Sequence, residues 1–524
     1  MHLEDMEKSQ PNMEIDVIIS TAGEGLRLRK VNSEINKSLL PYLNKPIIYH
    51  IIEKIPSTFK IGILLGYKSQ QVRDFLTLAY PKREFTYIYV DDWTSSKSGT
   101  KYSLTFAYKL LRKSFWYFPC DGIYQDTDFL LDEFPEDVFL VCKIDKSKAY
   151  HYLTFMLEKN RIVNQFFKST EVTGDYAFTG VMRVIDKEVF FSRLGESNSN
   201  EFVSIIPDNS LIYLTENWKD LGNFEMYEDE ISKTEGFDFS KSGEYTYQLN
   251  ESIVKWWPDP AISNNKLEKP KIKPDVFPKN IESLNQFLSY SKANGSPFYE
   301  SVNQKNFTTL LNWLQNKLWF PQNLNIEENL LQFYKNKTRA RIDLLGNKKD
   351  LPSYNPKNIN GINVQPWQNY LKNINWDLLI QVNKPSFIHG DLQFDNIIYD
   401  DDTNQFTLID WRSDFAGLKL IGDLYYDFAK MLGGVHVNYH EIKQGKFKFN
   451  YHNGKVLFEL PAVDESKELV SILESFIAEM ELDVIKVREL VPLIFWNMAP
   501  LHKEPFANLC WSLGIFHYEM LKQC

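Results

Sequence analysis

His389-Gly390-Asp391, with Asn396 five residues beyond the aspartate and Asp410 after two short apolar runs, gathers three side chains suited to one chemistry. An aspartate in a loop accepts the proton of a hydroxyl. An asparagine and a second aspartate hold a divalent metal against phosphate oxygens, and ATP-dependent transfer to an alcohol needs all three. A lone His-Gly-Asp is equally a loop closed by a capping aspartate. The wider spacing favours the chemical reading: Ile397–Tyr399 and Gln405–Ile409 flank the turn-rich pentad Asp400–Asn404, and a hairpin there brings Asn396 and Asp410 together as ligands of one metal cluster.

A second phosphate-handling stretch lies near the other end. Ser20-Thr21-Ala22-Gly23-Glu24-Gly25-Leu26-Arg27-Leu28 follows an apolar run. Its small residues let the backbone approach a triphosphate and donate N–H groups to it. Arg27, Lys37 and the Lys45-Pro46 pair add charge close by. Gly-x-Gly alone matches many loops, an ordinary strand-to-helix turn among them. Two phosphate chemistries on one chain point to consecutive steps.

The elements that must carry these residues follow from pattern. Ile15–Ser20, Lys60–Gly66, Phe85–Val90, Phe115–Cys120 and Asp137–Lys143 read as strands, and Pro46–Lys54, Gln70–Ala79 and Lys101–Arg112 as helices. The alternation predicts a mainly parallel sheet covered by helices, with ligands beyond the carboxyl ends of its strands. Glu228-Asp229-Glu230 and the polar stretch Ser232–Gly243 read as a boundary. Glu244–Leu249 and Ser252–Trp257 then predict a hairpin around Asn250-Glu251. Helical periodicity follows at Phe307–Trp319, Ile326–Leu345, Ser466–Glu479 and Leu482–Trp496, with residues 346–366 a surface loop.

A chain of 524 residues exceeds one core. The expected domains are 13–232 and 235–524, the latter with a small lobe at about 235–305 and a helical lobe at about 306–524. A hydrophobic fraction of 43% and an aromatic fraction of 15% mark a packed globular protein. Net charge of −10 and a pI of about 5.6 argue against a nucleic-acid or anionic-membrane binder. Cys120, Cys142, Cys510 and Cys524 form no Cys-x-x-Cys pair, so neither a zinc knuckle nor a disulfide framework is expected. The polar start reads as a frayed tail, with no secretory signal and no membrane span. A cytoplasmic protein is expected, its oligomeric state open.

The N-terminal run resembles the signature of nucleotidyltransferases that make nucleotide-sugars and CDP-alcohols: Gly23, Gly25, Arg27, Leu28, then Lys37, Leu40-Pro41 and Lys45-Pro46. The order continues downstream. Gly99-Thr100-Lys101-Tyr102-Ser103-Leu104 is similar to the base-side loop, and Pro119-Cys120-Asp121 to the strand end with a metal-binding aspartate. Val163–Lys168 is similar to the strand whose lysine meets the substrate phosphate, Phe178-Thr179-Gly180 to the acceptor loop, and Trp218–Gly222 to the late motif with the second metal aspartate. The resemblance implies a Rossmann-like α/β domain in which Ala22, Gly23, Gly25, Gly99 and Thr100 bind nucleotide. Arg27 and Lys37 would be catalytic, Lys168 and Gly180 would bind substrate, and Asp121 and Asp220 would hold Mg²⁺. Two departures stand out: Asn36 precedes Lys37 where the family has proline, and Arg29-Lys30 occupies a place where proline is common.

The C-terminal stretch resembles the aminoglycoside phosphotransferase and choline kinase family, with an α+β protein-kinase-like fold. By position Asp391 becomes the catalytic base and Asn396 and Asp410 the Mg²⁺ ligands. His389 organises the loop, and Asp423 and Asp427 brace it. Lys255 is similar to the strand lysine that pairs with ATP phosphates, a surface strand lysine being the alternative, with Glu268 as its helix partner. Only Gly243 stands where a glycine-rich loop would be. Trp256, Trp257, Trp496, Trp511, Phe516 and Tyr518 line either an acceptor pocket or the core. His436 and His440 read as surface imidazoles rather than a zinc pair.

Together the resemblances imply a bifunctional enzyme: an ATP-dependent kinase of a small alcohol or sugar, and a nucleotidyltransferase that couples the product phosphate to CTP, UTP, dTTP or GTP. The NDP-activated product would serve capsule or lipopolysaccharide synthesis. A phosphocholine or phosphoethanolamine cytidylyltransferase fused to its kinase, and a transferase with an inactive regulatory kinase-like half, are the alternatives.

Overall fold

The structure is a computed structural model that describes residues 14–94, 99–168, 172–197, 205–233, 243–346 and 354–522. The expected frayed tail, most of the 232–243 boundary, part of the 346–366 loop and Cys524 lie outside the described residues. The chain divides into two compact units: Met1–Thr234 with Thr246–Asn250, and Glu235–Tyr245 with Glu251–Cys524.

The first unit is α/β. Its nine strands run in the order Phe85–Tyr89, Ile61–Leu65, Ile15–Ser20, Leu111–Pro119, Tyr176–Val184, Val138–Lys143, Leu211–Leu214, Arg161–Phe166 and Thr154–Glu158. The first four are parallel. Ile-Asp-Val-Ile-Ile-Ser and Ile-Gly-Ile-Leu-Leu are almost wholly buried, as strands covered on both faces must be. Beyond them the sheet is mixed, because Tyr176–Val184 runs antiparallel to both of its neighbours; the expected mainly parallel sheet ends there. Ser20 aligns with Leu64 and with Pro119, so three adjacent strands end level. The loops after Ser20 and Pro119 therefore open on the same edge, where ligands of such sheets bind.

One expected helix is shorter than its pattern. The pattern predicts a single helix over Lys101–Arg112; the structure has a helix over Thr100–Thr105, a turn at Tyr108–Leu110, and a strand from Leu111. Pairing of Leu111 with Ile15 in the sheet outweighs helix propensity where the chain enters the aromatic-rich run Leu111–Pro119.

The second unit is α+β. Both strands of the expected hairpin form: Tyr245–Gln248, most of which falls in the first unit, and Ser252–Trp256, which in the second unit pairs with Phe287–Ser291, itself paired with Glu282–Leu284. Helices dominate from Gln304, among them Gln304–Lys317, Leu424–His436, Ser466–Glu479, Val484–Met498 and Phe506–Leu521. The expected helix Ile326–Leu345 is broken by a π-helical turn at Leu331–Asn336. Residues 346–366 are not all loop: Asn358–Ile359 and Ile362–Asn363 form a small hairpin paired with Lys455–Glu459. The hairpin after the His389 loop has the expected form, Ile397–Asp400 against Gln405–Leu408. Trp256, Trp257, Trp496 and Trp511 are buried, the last three within the hydrophobic core, and Phe516 and Tyr518 pack against it.

Two candidate active sites

In the first unit, the residues after Ser20 are pinned to the sheet. Thr21 donates its backbone N–H and its hydroxyl to Leu64 O, at 3.0 and 2.7 Å. Gly25 then takes a left-handed conformation and starts the turn Leu26–Leu28, which carries Arg27 on its exposed side. An open cleft bounded by Glu24, Gly25, Arg29, Asn32, Lys37 and Tyr67 lies against this loop. Asn36, the residue in place of proline, fixes the next turn by hydrogen bonds instead of by a ring. It is fully buried; its amide donates to Tyr67 O at 2.6 Å and Thr21 O at 3.2 Å, and its oxygen accepts from Ser38 N–H at 2.9 Å. Arg29 pairs with Glu24, and Lys30 lies 5.7 Å from the Phe224 ring.

The two expected metal aspartates are brought together by backbone pairing. Asp220 aligns with Gly122 in a two-stranded ribbon, and Leu221 N–H donates to Asp121 O at 2.8 Å. A Cβ placed on Gly222 would lie 2.9 Å from Asp220 Oδ1 and 3.1 Å from Asp121 Oδ2, so both carboxylates face the space that glycine leaves. Lys37 Nζ donates to Asp121 Oδ2 at 2.7 Å. Burial works against the Lys37 ammonium, yet the charge of Asp121 holds it above its ordinary pKa. Burial likewise works against the Asp121 carboxylate, but Lys37 and Arg27 hold it below its usual range. Asp220 is pushed up, first by burial and then by the charge of Asp121. Two repelling carboxylates beside a lysine are a site in want of a cation. Among the described residues no cluster of three or more His, Cys, Asp or Glu could hold a metal. A pair of carboxylates that shares Mg²⁺ with substrate phosphates and water is the arrangement that fits.

Gly180, at φ 89°, sits with its Cα facing Pro119, where a Cβ would come within 2.8 Å of the ring; it packs on the residue that leads to Cys120-Asp121. Gly99 caps the short helix from Thr100. Lys168 stands exposed beyond the strand Arg161–Phe166. The charges that act most on Asp121 come from Lys37 and Arg27 and those on Asp220 from Asp121 and Arg27; Lys168 is outside that set.

In the second unit, Asp427 holds the His389 loop. It is fully buried and accepts from His389 N–H at 2.9 Å, Gly390 N–H at 2.7 Å and Trp319 Nε1–H at 3.1 Å. Burial still pushes its pKa up. His389 bridges the loop to the hairpin: Nε2 meets Ile409 O at 2.9 Å and Nδ1 meets Asp391 N–H at 3.2 Å. That pattern needs the neutral ring protonated on Nε2, and burial, with the charge of Lys269, lowers the pKa to about 3. Asn396 donates its amide N–H to Asp391 O at 2.8 Å, and its own backbone oxygen accepts from Ile409 N–H at 2.9 Å, one residue before Asp410. Asn396 and Asp410 are thus near neighbours across the hairpin. Lys255 is buried and pairs with Asp410 Oδ1, which sets aside the surface-lysine alternative. Glu268 is not its partner: it lies outward and pairs with Lys271 at 3.2 Å. An asparagine oxygen and a carboxylate beside a fixed ammonium fit Mg²⁺ with its phosphates.

Several residues at this site escape sequence reasoning. Lys430 Nζ lies 2.6 Å from Asp391 Oδ1. Lys269 is buried and donates to Ile388 O at 2.6 Å and His389 O at 3.2 Å; burial lowers its pKa. Lys266 donates to Trp411 O, and Trp411 Nε1–H returns a bond to Lys266 O at 2.8 Å. Asp423 pairs with buried Lys486 at 2.6 Å. Lys430 could have been found, three residues after Asp427 on a helix; the inward lysines carry no local signal. His436 and His440 do not face one another: the His436 ring lies 4.7 Å from that of His517, and His440 lies 3.7 Å from Asp395 and 3.8 Å from Glu300.

A model described as the phosphotransferase enzyme family matches residues 361–451, the stretch that holds Asp391, Asn396 and Asp410. The chain is 25% identical over 222 residues to the bifunctional protein GlmU of Methanococcus maripaludis, covering 40% of this chain and 52% of that protein. It spans about half the length of the curated relatives it matches. Of solved structures, a UDP-glucose pyrophosphorylase complexed with UDP-glucose aligns at a TM-score of 0.37 and 16% identity, over 42% of this chain and 98% of that one. A UDP-glucose pyrophosphorylase from Acinetobacter baumanii aligns at 0.36 and 11%, over 42% and 92%. The N-terminal half is similar in sequence to the bifunctional protein GlmU, and residues 361–451 to the phosphotransferase enzyme family.

Proposed function

We propose that residues 235–524 phosphorylate a small alcohol or sugar with ATP, and that residues 13–232 couple the resulting phosphate to a nucleotide from a second NTP. The observation that carries this reading is the buried Lys255 paired with Asp410 in the unit where Asn396 holds the Asp391 loop. In the first step Asp391 accepts the acceptor's hydroxyl proton as its oxygen attacks the γ-phosphorus and ADP leaves. In the second, the phosphate monoester, already ionised, attacks the α-phosphorus and pyrophosphate leaves. Lys37 and Arg27 offset the repulsion between the two anions, with Lys168 and Gly180 on the acceptor side. Mg²⁺, held by Asp121 and Asp220 in one half and by Asn396 and Asp410 in the other, would supply charge neutralisation at the phosphates.

A sugar or polyol acceptor is favoured over choline. The aromatic residues that could have caged a quaternary ammonium, Trp257, Trp496 and Trp511, belong to the hydrophobic core. The buried Lys255–Asp410 pair supports an active kinase half over a regulatory one. The product would be an NDP-activated sugar or polyol for capsule or lipopolysaccharide synthesis in the cytoplasm. Among the described residues no helix is long and apolar enough to cross a membrane.

The test is pyrophosphate release with Mg²⁺, ATP, each other NTP in turn, and a panel of sugars and amino-alcohols. Release that needs both ATP and one alcohol is expected. Release from an unphosphorylated alcohol without ATP, or phosphoryl transfer with no coupled release from any NTP, would refute the sequence of steps.

A further inference from the structure

Several cations gather at the loop that presents Asp391. Lys430 Nζ lies 2.6 Å from Asp391 Oδ1. Arg412 follows Asp410-Trp411 and is tied back to the same loop: its N–H donates to His389 O and its Nε–H to Gly390 O, each at 3.0 Å. Gly390 makes room for this arginine; at φ 85° a Cβ there would stand 2.7 Å from Arg412 Cβ. Lys337 and Arg341 come from a different element, one turn apart on the same face of the helix Lys337–Gly346. The π-helical turn Leu331–Asn336 immediately before it changes the helix phase at that point, and such turns are frequent at functional sites.

A shared aromatic floor gathers these groups. Lys337 Nζ lies 3.6 Å from the Phe333 ring centre and Arg412 Cζ 5.1 Å from it, with Tyr426 5.8 Å from Arg412. Phe333 in turn stacks on Phe415 at 3.8 Å and meets Tyr426 edge-on at 5.1 Å. Arg341 is held by Asn497 O at 2.8 Å. Burial, then the charges of Arg412, Arg341 and Lys430, drive the Lys337 pKa well below its ordinary value; the carboxylate that opposes them is Asp391. Lys337, Arg341, Arg412 and Lys430 repel one another in a part-buried place, and a bound anion relieves that repulsion.

We infer that the alcohol phosphorylated by this half carries a negative group of its own, a carboxylate or a phosphate, seated on Lys337, Arg341 and Arg412 beside Asp391. The inference rests on the kinase reading above. It assigns the acceptor class: an acidic sugar or a phosphorylated sugar or polyol, not an amino-alcohol, whose ammonium the same cluster would repel. The step itself stays balanced. A bond forms between the acceptor oxygen and the γ-phosphorus, the bridging bond to ADP breaks, and the hydroxyl proton passes to Asp391. The γ-phosphate has Lys255 and the Asp410 side of the hairpin to hold it, whereas Lys337, with Arg341 one turn on, lies within the field of Asp391, the group that must meet the acceptor.

The test uses the full chain saturated with Mg²⁺ and a non-hydrolysable ATP analogue, so that the γ-phosphate position is filled. Calorimetric titration compares D-glucuronate with D-glucose, glycerol 3-phosphate with glycerol, and inorganic sulfate with choline. The two organic pairs separate a carboxylate from a phosphate source. An anion that binds about tenfold tighter than its neutral counterpart, about 1.4 kcal/mol, is expected. That preference should disappear in Lys337→Met/Arg341→Met and survive in the charge-keeping Lys337→Arg/Arg341→Lys, which also reports on folding. The inference is overturned if neutral compounds or choline bind as well as the anions, or if no anion, sulfate included, binds the methionine variant more weakly than wild type. Phosphoryl transfer from ATP is measured in parallel. Charge-dependent anion binding with no transfer to any alcohol would remove the kinase reading and leave the anion site standing.

Discussion

The Asp423–Lys486 pair offers the most exacting check on how the kinase-like half is held. Both side chains are 0% exposed and their charged atoms lie 2.6 Å apart. Asp423 also accepts from the Tyr334 hydroxyl at 2.9 Å and Lys384 N–H at 3.1 Å. It stands immediately before the helix Leu424–His436, which carries Asp427 and Lys430 to the Asp391 loop. Lys486→Met keeps the bulk and removes the charge. Breaking a buried pair on one side costs roughly 3–5 kcal/mol. The stranded carboxylate has a limited penalty, because it can take a proton instead. Protonation costs about 1.4 kcal/mol for each pH unit above an unfolded value near 3.9, so the charge contribution is capped at about 4 kcal/mol at pH 7 and about 1.5 kcal/mol at pH 5. The penalty is thus absent below the unfolded value, where the carboxyl is neutral in both states, and grows as pH rises above it. The assay is urea unfolding by tryptophan fluorescence, to which this half contributes nine of the twelve tryptophans, Trp256 onward. The expected loss is about 3–4 kcal/mol at pH 7, shrinking by more than half at pH 5, and Asp423→Asn combined with Lys486→Met recovers most of it. A loss independent of pH, or a double variant no more stable than the single one, would refute the account of a buried charge left unpaired.

Asp391→Asn should lower kinase turnover by roughly 10²–10⁴ and leave nucleotidyl transfer to a supplied sugar phosphate intact, while Asp121→Asn does the reverse; equal loss of both activities in either variant contradicts independent sites. His389, at 0% exposure with its pKa near 3, is depressed below the unfolded value near 6.5. Its contribution is present above that value and is lost as pH falls toward 3, at up to about 1.4 kcal/mol per pH unit. In His389→Gln the decline in urea stability between pH 6.5 and 5 should be shallower by about that slope; an unchanged profile would show that the ring is protonated in the folded protein. Gly180→Ala forces a methyl to 2.8 Å from Pro119 at a φ of 89°. It should cost at least about 1 kcal/mol in the first unit and reduce pyrophosphate release without touching ATP-dependent phosphorylation.

What was legible in the chain follows from the range over which each feature is determined. The His389–Asp410 geometry depends on a turn and a two-stranded hairpin, both local, and the spacing alone places Asn396 beside Asp410. The approach of Asp121 and Asp220 depends on a ribbon between residues about a hundred positions apart; no spacing rule reaches that far, and only the resemblance linked them. Strand edges were legible where apolar runs are continuous, as at Ile15–Ser20, and misread where sheet pairing overrode propensity, as at Leu111. The π-helical turn at Leu331–Asn336 leaves helical periodicity almost untouched, so the helix Ile326–Leu345 looked whole although its phase slips just before Lys337. Least legible were the lysines. The chain has 59 Lys and Arg, and nothing local separates Lys266, Lys269 and Lys486, which turn inward onto loop carbonyls and a carboxylate, from those that face water. Burial of a charge is decided by what the rest of the fold offers it. The acidic and amide groups of a phosphotransferase site can therefore be read from the loop that carries them, while the cations that set its electrostatics, and with them the class of acceptor it would admit, become visible only once the fold is closed.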